Sequence, residues 1–170
     1  MIDDAVRHRA VAVIEQATAR SWTVTAAESC TGGLVASALT SIPGSSEAFG
    51  WGFVTYSNLA KQKLLGVSAL DLERYGAVSE VVARAMAEGA LSASSADLAV
   101  AITGIAGPGG GSPNKAVGLV HFAVSTQART RHHVEQFGDL GRDRVRDGAV
   151  IVALDLLLEA LSRTERDQAG

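Results

Sequence analysis

One cysteine, Cys30, is all the chain contains, which excludes an intramolecular disulfide and any zinc site built from several thiolates. Aromatic residues are scarce, at 5% of a chain that is 47% apolar, so the core is expected to be built from alanine, valine and leucine. An excess of positive charge is also missing. The formal net charge of −3 argues against a nucleic-acid binder held by a broad basic surface, while leaving local basic clusters able to hold a single phosphate. No apolar run reaches membrane-spanning length, and the first residues lack the basic-then-apolar pattern of a secretory leader. These absences predict no membrane contact and a reducing, cytoplasmic setting. No internal repeat is visible. What is present is 170 residues, enough for one domain with a full core.

The stretch 23–34 (TVTAAESCTGGL) organises the rest. It opens with β-favouring residues, breaks at Gly32 and Gly33, and continues through Leu39 with helical spacing, which predicts a strand, a tight turn and a helix. The turn carries Ser29, Cys30 and Thr31, three side chains able to act as nucleophiles. A helix start gathers unpaired N–H groups and partial positive charge, which suits an anion or an oxyanion. A nucleophile beside such donors is what acyl transfer needs. The plainer reading is that Ser and Thr cap the helix and the glycines only permit the turn.

Around this stretch the pattern predicts a helix over 3–19, a Pro-Gly loop at 42–46, a strand over 49–56, a helix over 59–65 capped by Ser57 or Asn58 and stopped by Gly66, and one helical turn at 70–74. A helix over 80–92 capped by Ser79, a buried strand over 98–103, strands over 117–124 and 131–137, and a final helix over 142–163 complete the chain. Residues 1–165 are expected to form the domain and 166–170 a frayed tail. Lys61 falls in the first turn of its helix, a poor place for a cation. Most such lysines are simply solvated, but one held there has a lowered pKa, as a lysine base requires. Tyr56 lies five residues before it and can project to the same sheet edge.

The long loop 104–115 is glycine-rich without being a phosphate loop. Lys115 follows asparagine and leads into a strand, and Ser112 and Pro113 stand where a dinucleotide fingerprint needs a helix. Thr103 and Gly104 come straight off a buried strand, where ligand loops of α/β sheets cluster. Arg142 and Arg146 share one face of the last helix, so a phosphate bound between them and the helix amides is one reading and neutralisation by Asp139 and Asp143 the other. His132 and His133 alternate along a strand with no ligand partner at metal spacing and read as surface residues. No metal or cofactor is expected.

Taken together, the blocks AESCTGG at 27–33, PGSS at 43–46, VTYSNLAK at 54–61, GAVSE at 76–80 and TGIAGP at 103–108 resemble the CinA C-terminal domain family, whose stand-alone bacterial members are nicotinamide-nucleotide amidases. The similarity covers roughly residues 5–162, with departures at Tyr75, Ala116 and Leu140-Gly141. The resemblance implies a single three-layer α/β/α domain with a mixed, mostly parallel sheet of about five strands. It also implies hydrolysis of nicotinamide mononucleotide to nicotinate mononucleotide and ammonia, with Ser29 as nucleophile and Tyr56 and Lys61 as its activating pair. Substrate contacts are then expected from Cys30, Thr31, Gly32 and Gly33 in the turn, from Thr103 and Gly104, and from Arg142 and Arg146 at the phosphate. Within this reading Cys30 competes with Ser29 as nucleophile. The rival reading is a module that binds a phosphonucleotide, for sensing or regulation, without cleaving it. A homodimer is suggested by apolar surface on the terminal helices beyond what one buried stripe needs.

Overall fold

A computed structural model describes the backbone over residues 3–168 and side chains through residue 163. Of the expected tail at 166–170, residues 169–170 lie outside the described residues, and the backbone through Gln168 continues the last helix.

The first helix, α1, spans Asp4–Ala19 and starts where the Asp3 carboxylate accepts from the Ala5 N–H at 2.7 Å. Strand β1 (Val24–Glu28) is buried along its whole length, and α2 (Leu34–Thr40) follows after the turn. Strand β2 (Phe49–Val54) leads to α3 (Asn58–Leu65), where the Ser57 hydroxyl accepts from the Ala60 N–H. Next come α4 (Ala69–Tyr75), α5 (Glu80–Ser94) and β3 (Leu98–Gly104). The chain closes with β4 (Leu119–Thr126), β5 (Thr130–Gln136) and α6 (Arg142–Gln168).

One sheet runs β2-β1-β3-β4-β5. The expected mixed sheet of five strands is present, but parallel pairing does not predominate. The pairs β1–β2 and β1–β3 are parallel, whereas β3–β4 and β4–β5 are antiparallel, because the last strands form a hairpin. Period-two alternation sends Val100, Ile102 and Phe122 to one face, covered by α1, α2 and α6. Ala99, Ala101 and Ala123 go to the other, covered by α3, α4 and α5. These small side chains on the second face accompany close packing by α5. At Gly89 an added Cβ would collide with the Leu65 carbonyl of α3, so a glycine is required where the two helices touch.

Several boundaries depart from the sequence pattern, and α5, β4 and α6 run on to Ser94, Thr126 and Gln168. The strand expected over 49–56 ends at Val54, leaving Thr55 and Tyr56 beyond the ladder. The strand expected from 117 begins at Leu119, since Gly118 has a φ of +90° and turns the chain against Gly138. The single turn at 70–74 is a helix of seven residues, with a Ser68 cap accepting from Asp71. Of the large apolar side chains that remain exposed, Trp51, Val54, Tyr56 and Leu59 lie on β2 and around the start of α3, and the others on the end of α3, on α4, on β5 and before α6. None of those among the described residues lies on α1 or α6, whose Val11, Ile151, Val152, Leu156 and Leu158 are partly buried.

Candidate active site

Parallel neighbours β2, β1 and β3 all end at one edge of the sheet, where ligand sites of open α/β sheets lie. The turn after β1 brings Ser29 there. Thr55 and Tyr56 arrive from the end of β2, Lys61 from the first turns of α3, and Thr103 and Gly104 from the end of β3. Ser29, Tyr56, Lys61, Thr103 and Gly104 line a hollow of about 230 Å³ with Cys30, Asn58, Ala77, Val78, Ala106 and Arg142. A somewhat larger hollow between Trp22, Asp97 and Arg131 holds no nucleophile paired with a base.

Lys61 is the largest side chain buried almost completely, with 1% exposure. Its Nζ donates to the Thr55 carbonyl at 2.7 Å and to the Ser29 Oγ at 2.9 Å. Burial disfavours the ammonium and holds its pKa below the ordinary lysine value of 10.5, against a smaller opposing effect of Cys30. A hydroxyl and an amine whose charged form burial disfavours thus share one hydrogen bond.

Cys30 lines the same hollow but is buried, and burial pushes its thiol up to about 11. At neutral pH it is a thiol with little thiolate, so its chemistry is that of a small apolar wall.

The helix after the turn does not offer the amide cluster expected of it. The Glu28 carboxylate, 1% exposed, turns back and accepts from the N–H groups of Gly33, Val35 and Ala36 at 2.8–3.1 Å. A built-in anion already occupies the start of α2. The Gly32 N–H donates to the Ser29 carbonyl at 3.1 Å. Thr31 is fully buried and outside the lining, and its Oγ1 has no hydrogen-bond partner. The Cys30 N–H has no carbonyl or carboxylate acceptor and meets its own thiol, in a residue that lines the hollow. Thr31, Gly32 and Gly33, expected as substrate contacts, do not line the hollow.

The two arginines separate in the same way. Arg142 donates to the Gly107 carbonyl at 3.0 Å and to the Tyr56 hydroxyl at 2.8 Å, at the mouth of the hollow. Arg146 lies behind the turn and donates from Nε to the Cys30 carbonyl and from Nη2 to the Thr31 carbonyl, both at 3.1 Å. It does not line the hollow. Tyr56 is 60% exposed and its hydroxyl accepts from Arg142, while it lines the same hollow as Ser29 and Lys61, the two joined by a direct hydrogen bond. Thr103 lines the floor while its Oγ1 donates to the Ala77 carbonyl at 2.8 Å. Gly104 leaves no room for a side chain against Val120 and Leu119.

Sequence reasoning missed Glu28, whose place at the end of a buried strand just before a glycine pair was the available signal. It also placed His132 at the surface. His132 instead shares a 2.9 Å hydrogen bond with His121, and Glu80 lies 3.6 Å away. The diagonal cross-strand register creates that pair. Among the described residues no three His, Cys, Asp or Glu side chains converge as a metal site would require, and no helix is long and apolar enough to cross a membrane.

Comparison with known proteins places this geometry. The nicotinamide-nucleotide amidohydrolase PncC of Enterobacter agglomerans is 54% identical over 142 residues, covering 82% of this chain and 85% of that protein. A CinA-like protein of Synechococcus sp. is 53% identical over 146 residues, 85% of this chain but 35% of that protein. The chain thus spans about a third of such longer relatives. Among solved structures, the competence/damage inducible protein CihA from Agrobacterium tumefaciens superimposes with a TM-score of 0.92 at 47% identity, over 95% of this chain and 98% of that one. A CinA superfamily protein from Escherichia coli gives 0.88 at 39% identity, over 94% of each chain. The family model of the CinA C-terminal domain matches residues 7–161, a span that takes in every side chain of the hollow, and the chain belongs to that family.

Proposed function

We propose that the protein is an amidase that hydrolyses the carboxamide of nicotinamide mononucleotide to the carboxylate and ammonia, with Ser29 as nucleophile and Lys61 as its base. The observation that carries the reading is the 2.9 Å contact between Ser29 and a lysine buried to 1% exposure. The name of the Enterobacter relative supports the substrate class.

Neutral Lys61 keeps one N–H on the Thr55 carbonyl and turns its lone pair to Ser29. It takes the Oγ proton as oxygen attacks the carboxamide carbon. The tetrahedral oxyanion meets the Cys30 N–H, and loss of such a donor typically costs about 3–4 kcal/mol. The lysine ammonium then returns the proton to the departing nitrogen, the C–N bond breaks, and ammonia leaves an acyl-Ser29. Water, deprotonated by the same amine, releases the acid. Arg142 is the cation assigned to the phosphate end at the mouth, and Tyr56, hydrogen-bonded to it, positions that end rather than activating Lys61. No step draws on a metal or organic cofactor. A cytoplasmic setting and a homodimer belong to the same proposal, the dimer tested by the mass measured in sedimentation.

The test is ammonia release from the mononucleotide by the wild type and by Ser29→Ala. The expected loss is about 10³-fold or more. Full activity in the variant rejects Ser29, and tight binding by the wild type with no ammonia favours a binding module.

A further inference from the structure

Arg146 shares a helix face with Arg142, but its donors point to protein rather than to the hollow. Nε and Nη2 hold the carbonyls of Cys30 and Thr31. In a planar trans peptide the C=O and the following N–H point in opposite directions, so pinning one orients the other. The Thr31 carbonyl held by Arg146 orients the Gly32 N–H. That N–H donates to the Ser29 carbonyl at 3.1 Å, which in turn orients the Cys30 N–H. Gly32 has a φ of +60°, and its missing side chain leaves the guanidinium 3.4 Å from where a Cβ would stand. On the other side of the turn Glu28 holds the amides of Gly33, Val35 and Ala36.

We propose that Arg146 is a positioning residue, whose guanidinium sets the direction of the Cys30 N–H and the seat of Ser29 through two coupled peptide planes. The catalytic consequence rests on the amidase reading above; the clamp itself does not. Lysine cannot reproduce it, because one ammonium on a flexible stem lacks the planar fork that meets two carbonyls at once. A phosphate anchor and a clamp differ in what they change. The anchor acts on binding of the phosphorylated substrate, whereas the clamp acts on the transition state of any carboxamide that reaches Ser29.

The experiment compares the wild type, Arg146→Lys and Arg146→Ala on nicotinamide mononucleotide and on the phosphate-free riboside. The expected result is a kcat lower by about 100-fold, by the same factor on both substrates, with KM changed less than about threefold. Added guanidinium chloride restores part of the kcat of Arg146→Ala. A rise in KM confined to the mononucleotide overturns the proposal and makes Arg146 a phosphate ligand. Amide hydrogen exchange provides the second measurement: the Gly32 N–H exchanges faster in Arg146→Lys while protection of β1 and β3 is retained. Unchanged exchange at Gly32 also overturns the clamp. If the wild type releases no ammonia from either substrate the amidase reading falls, and Gly32 exchange alone then decides the clamp.

Discussion

Ser29 and Lys61 are 32 residues apart in the chain and 2.9 Å apart in space, and the pH behaviour of the site follows from the second of these. Because burial holds the Lys61 pKa below 10.5, the neutral base becomes abundant at lower pH than for a solvated lysine. The rate of ammonia release is expected to rise with pH along a limb whose midpoint lies below 10.5, and Lys61→Arg, always protonated, abolishes it. A limb midpoint at the ordinary lysine value contradicts this assignment. Cys30 yields the opposite expectation. With its thiol at about 11 and 5% exposure, iodoacetamide labels it slowly at pH 7, and Cys30→Ala retains kcat within about tenfold, since only packing is lost. Rapid labelling with complete inactivation reverses the order of Ser29 and Cys30.

At the scale of elements, the site depends on how α3 is seated. Lys61 reaches Ser29 because α3 packs on α5 where Gly89 lets the Leu65 carbonyl approach. Gly89→Ala forces the helices apart, with an expected loss of about 1–3 kcal/mol of stability and a fall in kcat as Lys61 withdraws from Ser29. Calorimetry and the ammonia assay check the two arms. Glu28 acts on α2 in a related way. Its carboxylate meets three amides at the helix start, so Glu28→Gln replaces charge-assisted acceptors by a weaker one and turns an N–H toward the amides. The expected result is a loss of about 1–3 kcal/mol, read by denaturant unfolding.

For the whole molecule, burying Lys61 links stability to pH. Its folded pKa lies below its unfolded value of 10.5, so between the two the unfolded chain binds more protons and stability rises with pH. Below the folded pKa both states are protonated and the penalty of burial is complete; above 10.5 it is gone. Relative to Lys61→Met, the wild type is therefore expected to gain stability as pH is raised from neutrality through the alkaline range toward 10.5. Melting temperatures of the pair across that range provide the measurement, and a constant difference rejects the linkage.

Much of this molecule was legible before any coordinates. Hydrophobic spacing and serine caps marked the helices, because an amphipathic stripe and a side-chain acceptor at a helix start are local properties. The β-rich runs marked the strands for the same reason. The motif blocks singled out Ser29, Lys61 and Gly104, and spacing on the last helix singled out Arg142. What local reading could not supply was partnership. A carboxylate at position 28 looks like any strand-end glutamate until the chain folds it back onto the start of α2. Two arginines on one helix face look equivalent until one meets the mouth of the hollow and the other the back of a turn. Nothing local to Tyr56 shows that Arg142, 86 residues on, donates to its hydroxyl. The sequence by itself determined the elements and the chemically able side chains, since those follow from propensity and period along the chain. Only the tertiary structure decided which donors stayed free, because hydrogen-bond capacity is settled by whichever group, however distant in the chain, arrives within about 3 Å.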